Sequence, residues 1–127
     1  DNKESFAQLL ANADNMVELI ADYMTQYVTA QITEHRDALV AEQAFRYEAI
    51  LNPHLRALGS AHKEALMQKL IEILLMVKSP NPEADANIVI SILHRIEYEG
   101  LLVEPEAIDT AGIRDTFVRQ LNLMFKS

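Results

Sequence analysis

At 127 residues the chain is long enough for one domain with a substantial core. Half of its residues are hydrophobic and about a quarter charged, the balance of a water-soluble globule, and the absence of cysteine excludes disulfides and zinc–thiolate sites. A net charge of −8, with 11 scattered basic residues against 19 acidic ones, argues against nucleic-acid binding by this chain alone.

Only three Gly and four Pro point to few tight turns and therefore to long helices. The longest apolar run, Ile73 to Val77, is five residues, far short of a membrane span. The N-terminus carries no charged-then-apolar leader pattern, and a cytoplasmic protein is expected. It also lacks an initiator Met, so a fragment of a longer protein is expected.

Taken in order, Asp1 to Phe6 reads as a helix start, with Phe6, Leu9 and Leu10 as a short stripe. Asn12 to Asn15 is expected to break or bend that helix. Met16 to about Glu34 is helical: 16, 19, 23 and 27 form one stripe, and 17, 20, 24 and 28 another beside it. So wide an apolar face can bury against two neighbours. A polar boundary at 33–37 leads into a helix from Asp37 to Leu51, which Asn52-Pro53 ends because the residue before Pro is pushed out of the helical region. Pro53 suits the first position of a new helix. Gly59-Ser60 reads either as a cap or as a small-residue step inside one long helix. Ala61 to Val77 is helical through Leu66, Leu70, Ile73, Leu74 and Val77.

Ser79-Pro80-Asn81-Pro82 is the clearest turn. A helix follows with Asn81 as cap, Pro82 at its first position, and Glu83 and Asp85 in the positive first turn. Its apolar residues, from Ile88 to Leu102, wrap more than one face, so the helix must be covered on two sides. A last helix opens at Asp109-Thr110 with Ile113, Phe117, Leu121 and Met124 at spacings of three and four. The surplus apolar surface of this closing pair looks like an association surface. The fold class is all-α, with no convincing strand and no repeat of solenoid length.

Chemistry is sparse. None of His35, His54, His62 and His94 has an acidic residue three positions earlier, as a bundle metal site would require, and no metal or cofactor is expected. A Gly-x-Ser-x-Gly elbow and a Gly-rich phosphate loop are both missing, so the chain is not read as an enzyme. Tyr23, Tyr27, Phe45, Tyr47, Met16, Met24 and Met67 give adaptable apolar walls with an occasional polar contact. They suit either a packed core or a ligand cavity. The acidic run Glu97, Glu99, Glu104, Glu106 and Asp109 reads as a solvated edge.

The two ends of the chain carry a resemblance. Asp1-Asn2-Lys3-Glu4-Ser5-Phe6 is similar to the segment after the recognition helix of TetR-family transcriptional regulators, with Phe6 in a Leu position. Ser79 to Ala86, an apolar helix, Val103 to Asp109 and an amphipathic closing helix resemble the last two helices of that family. Its members commonly hold a small pair such as Asp-Gly in the penultimate helix, where this chain has His94-Arg95.

The resemblance implies a multi-helix orthogonal bundle that senses an effector and dimerises. A three-helix DNA-binding domain, missing from this chain, would then precede it. The last two helices would form a four-helix dimer interface, with Ile88, Ile92, Ile96, Ile113, Phe117, Leu121 and Met124 as its candidates. Tyr23, Tyr27, Phe45, Tyr47, Met67 and His94 are the candidates for the effector cavity. The implied partners are a second copy, a largely apolar small molecule, and DNA through the missing domain only. Repression is the family's default sign. From another class, a free-standing helical adaptor fits the same amphipathic helices.

Overall fold

The structure, a computed structural model, describes residues 16–125, with the backbone alone at 59–63. Among these residues there are five α-helices, one short 3₁₀ turn and no strand. The helices are α1 (Met16–Ile32), α2 (Arg36–Leu51), α3 (Pro53–Met76), α4 (Pro82–Leu101) and α5 (Thr110–Met124), the 3₁₀ turn being Pro105–Ala107. The expected break at 12–15 and the stripe of Phe6, Leu9 and Leu10 lie outside the described residues.

Side chains at the junctions explain where the helices start. Asn52 accepts a hydrogen bond from the His54 amide at 3.0 Å, Asn81 from Ala84 at 3.2 Å, and Asp109 from Gly112 at 2.9 Å. Each supplies an acceptor to an amide that the first helical turn leaves without one. Pro53 and Pro82 follow two of these caps, in the position where a missing N–H costs nothing. Gly59-Ser60 proves to be a step inside α3 rather than a cap. At the end of α3, Lys78 takes a left-handed φ of 61°. The amides of Lys78 and Ser79 then donate to Leu75 and Leu74 carbonyls, a Schellman closure with Lys where Gly is usual.

Helices α1, α2, α3 and α4 pack in a ring, each against the next and α4 back onto α1, while α5 lies against the outer side of α1. The core sits where α1, α4, α5 and the second half of α3 meet. Ile20, Ala21, Met24 and Val28 pack with Leu70, Ile73, Leu74 and Val77, with Ala86, Val89, Ile90 and Leu93, and with Phe117 and Leu121. Asp22 accepts a hydrogen bond from the Arg114 guanidinium at 2.6 Å, tying α1 to α5. Helix α2 is held differently, since Leu39 is its sole buried residue. Its Val40, Tyr47, Ile50 and Leu51 are exposed.

Two contacts fix the far end of this ring. Arg36, the first residue of α2, donates from Nη1 to the carbonyls of Ile32 (2.9 Å) and Gly100 (3.3 Å) and from Nη2 to those of Leu101 (3.1 Å) and Val103 (2.7 Å). These are carbonyls at the ends of α1 and α4, where the helix partial charge is negative and a cation is favoured. Beside them α4 approaches α1 so closely that a Cβ on Gly100 would lie 2.8 Å from Ile32 Cδ1. Ile32 is fully buried, so it has no room to turn away. Gly100→Ala is therefore expected to destabilise the protein by about 1–3 kcal/mol, the usual cost of overpacking. Adding Ile32→Val, which removes the nearest atom, should recover part of that loss in chemical denaturation. Equal stability of Gly100→Ala and the parent would show that the approach is loose.

Candidate functional site

The ring of α1–α4 does not close completely. Helix α3 and its cap bury Leu70, Ile73, Leu74 and Val77, whereas the described side chains of its first half lie outside the core. Between that half, α2, α4 and the C-terminal part of α1 lies a cavity of about 830 Å³. Small-molecule sites commonly span about 300–1,000 Å³, so the space suits a sizeable organic ligand.

One face of each helix supplies the wall. Helix α1 contributes Tyr27 and Gln31, and α2 contributes Glu42, Phe45, Arg46 and Ala49 at helical spacing. Helix α3 adds Leu55, Arg56, Leu58 and Leu66. Helix α4 adds Asn87, Ile90, Ser91, Leu93, His94 and Glu97. The wall is apolar toward α3 and polar where α1, α2 and α4 converge.

Most of the polar groups on this wall already have partners. Arg56 donates to the Ala49 and Ile50 carbonyls at 2.8 and 2.7 Å, closing the last turn of α2. Ser91 donates to the Asn87 carbonyl at 2.9 Å, and the Asn87 amide donates to the Glu83 carbonyl at 3.1 Å. Arg46 Nη2 lies 3.5 Å from His94 Nδ1. The side chains of Tyr27, Gln31 and Glu97 make no hydrogen bond among the described residues, and of the three Glu97 is the most buried, at 5% exposed.

Its carboxyl is pushed up from 4.5 to about 7, first by burial and then by the nearby Glu42, with Arg46 opposing. Tyr27 is raised as well, by burial first and then by Glu97, Glu42 and Tyr23. The polar end of the cavity therefore disfavours negative charge on its own groups.

Three of the six cavity candidates lie on this wall: Tyr27, Phe45 and His94. Tyr23 and Met67 pack against the core instead, and Lys69 Nζ sits 5.8 Å above the Tyr23 ring. Tyr47 is 65% exposed on the outside of α2, because at 100° per residue it points nearly opposite the Glu42–Phe45–Ala49 face. Met16 and Met24 belong to the core region, Met24 fully.

The interface candidates also divide. Phe117 and Leu121, each 1% exposed, fill the protomer's own core against α1, which corrects their place on an association surface. Ile88 is exposed, Ile92 and Met124 are half-buried, and Ile96 and Ile113 line a shallow groove between α4 and α5. Of the histidines, His35 and His54 are exposed, and the side chain of His62 lies outside the described residues. Among the described residues no three metal-binding side chains converge, and no helix is long and apolar enough to cross a membrane.

Residues 15–122 match the family model described as the tetracyclin repressor-like C-terminal domain. The chain belongs to this family. The tetracyclin repressor-like C-terminal domain is an all-helical unit of transcription regulation, associated with ligand binding and dimerisation. A comparison with curated proteins gives no match.

Glu97 was read from the sequence as part of a solvated acidic edge. Yet it follows Ile90 and Leu93 at i+7 and i+4 and precedes Gly100 by three, inside the buried stripe of α4. That register was the signal. A prediction follows from its sign: charging a buried carboxyl costs stability as pH rises through its folded value of about 7, and the cost vanishes below 4.5. Glu97→Gln should therefore be more stable than the parent at pH 8, by up to about 3 kcal/mol, and indistinguishable at pH 4.5. Thermal melts across that range check this; a variant less stable at pH 8 would mean that the carboxylate is satisfied.

Proposed function

We propose that this domain is the effector-sensing and dimerisation half of a DNA-binding transcriptional regulator, a repressor by the family's usual sign. The observation that carries the reading is the open-sided cavity of about 830 Å³ within the four-helix ring of a tetracyclin repressor-like domain. A helix-turn-helix unit ahead of residue 1 would contact the operator. Its position relative to that of a second subunit would decide whether both half-sites are reached. A ligand shifts that balance only through its preference for one arrangement.

The cavity touches α1 at Tyr27 and Gln31, and α1 is the described helix nearest to such a unit in sequence. A ligand that spreads α2 and α4 would press on α1 and alter its tilt. The adaptor alternative needs no such cavity, and a wall supplied by four helices favours the sensor. Filling the space with Ala49→Trp should abolish ligand-induced stabilisation while leaving the helix content intact. In a thermal-shift screen of apolar small molecules, hits at a hundredfold excess over Kd should stabilise the parent by about 3 kcal/mol and the variant not at all. Hits that stabilise both equally would place binding elsewhere.

For association, the outer faces of α4 and α5 present Ile88 at 42% and Leu123 at 59% exposure, with Ile92 and Met124 half-buried beside them. The double variant Ile88→Glu with Leu123→Glu should convert a dimer to folded monomers in light scattering. Phe117→Glu, by contrast, should cost the protomer several kcal/mol because it buries an unpaired charge. A dimer that survives the double variant would use another surface, such as the exposed Val40, Tyr47 and Leu51 of α2.

A further inference from the structure

The wall of the cavity offers acceptors and has few donors to spare. Arg56 is spent on two backbone carbonyls, Ser91 and the Asn87 amide on two others, and Arg46 is drawn toward His94 and the two glutamates. What remains is the Tyr27 hydroxyl, the Gln31 side-chain amide and the Glu97 carboxylate, the last on a residue 5% exposed, without a hydrogen bond among the described residues and with Glu42 and Arg46 nearby. Arg46 offsets the burial and the Glu42 repulsion only in part, and a donor or cation delivered to the carboxylate relieves the remaining cost. The rest of the wall, Phe45, Leu55, Leu58, Leu66 and Ile90, is apolar and shaped for a hydrocarbon body.

We propose that the ligand of this cavity is an organic cation, its ammonium or amidinium group seated on Glu97 and its apolar body lodged against Phe45, Leu55 and Leu66. This rests on the sensor reading of the same cavity and names the chemistry it selects. An organic anion is disfavoured here: Arg56 is engaged by two backbone carbonyls, and Glu42 and Glu97 repel it beside the donors that Arg46, Tyr27 and Gln31 could offer. A neutral ligand leaves the carboxylate as it is and gains the apolar contacts alone.

The groups facing Glu97 are Tyr27 from α1, Glu42 and Arg46 from α2, and His94 on α4 itself, with Arg56 of α3 on the same wall. Burial and Glu42 hold the Glu97 proton to about pH 7, so cation and proton compete for one carboxylate. Cation affinity therefore rises with pH through neutrality, as the proton leaves. An aliphatic ammonium keeps its own charge throughout that range.

Calorimetry with three probes sharing one body tests this on the intact protein: 4-phenylbutylamine, 4-phenylbutanol and 4-phenylbutyrate. The expected order at pH 8 is amine, then alcohol, then carboxylate. The amine should exceed the alcohol by about ten- to a hundredfold, the range of a hydrogen bond to a charged group. Glu97→Gln, of nearly equal volume, should bring amine and alcohol together while alcohol affinity stays unchanged, and should flatten the amine's dependence on pH between 6 and 8.

Retention of the alcohol with no amine preference, or an amine preference or pH step that survives in Glu97→Gln, overturns the cation assignment and leaves the cavity as a ligand site. Tightest binding by the carboxylate does the same. Binding of all three that persists in Ala49→Trp, or binding of none, overturns both the assignment and the sensor reading on which it rests.

Discussion

The arrangement depends on one guanidinium. Arg36 joins the last turn of α1, the last turn of α4 and the segment beyond it through four carbonyls. A planar group with fixed donors can serve two helix ends at once, which an ammonium on a flexible stem cannot do as well. The same residue opens α2, so the wall with the least buried surface starts from the most tightly bonded point in the ring. The close approach of Gly100 to Ile32 completes the joint. Together they hold the ends of α1 and α4 beside the start of α2.

Uneven burial of α2 and α3 explains why there is a cavity at all. Helix α3 runs 24 residues, yet among its described side chains and its cap the buried ones fall between Leu70 and Val77. Its first half carries too few apolar positions on one face to follow the core, and Leu55, Leu58 and Leu66 instead face the open space. Helix α2 cannot close the gap, because it buries only Leu39. It is held by its ends, through Arg36 at the start and Arg56 at the finish, rather than by a packed face. A wall fixed at both ends and free in the middle can adjust to an occupant at little cost in core packing.

Much of this was legible in the chain because helix ends are written in short-range chemistry. Asn52-Pro53, Asn81-Pro82 and Asp109-Thr110 are caps whose partners lie within three residues, and each appears where the sequence placed it. The double stripe of α1 likewise becomes a helix buried on two sides. Side-chain destinations were less legible, since periodicity says which residues share a face and not which neighbour covers it. Phe117 and Leu121 share the apolar face of α5, but α1 takes that face before any second subunit could. Tyr47 has the residue type of a pocket and the register of the solvent side. Arg36 sat in a polar boundary with nothing local to mark it, because the Gly100, Leu101 and Val103 carbonyls it serves lie more than sixty residues away.

Helix α4 shows how a ligand site and an association surface can share one element. At 100° per residue, Ile90, Leu93 and Glu97 fall on one side, and Ile88, Ile92 and Glu99 on nearly the opposite one. The first set faces the cavity and core, and the second faces outward. Helix interiors are stiff, so a shift of the cavity face is a shift of the outer face as well. If the outer face meets a second subunit, as proposed, occupancy of the cavity and the geometry of association are linked without any longer chain of contacts. Linkage runs both ways: whatever association does to the spacing of α4 from α2 must change ligand affinity by the same factor.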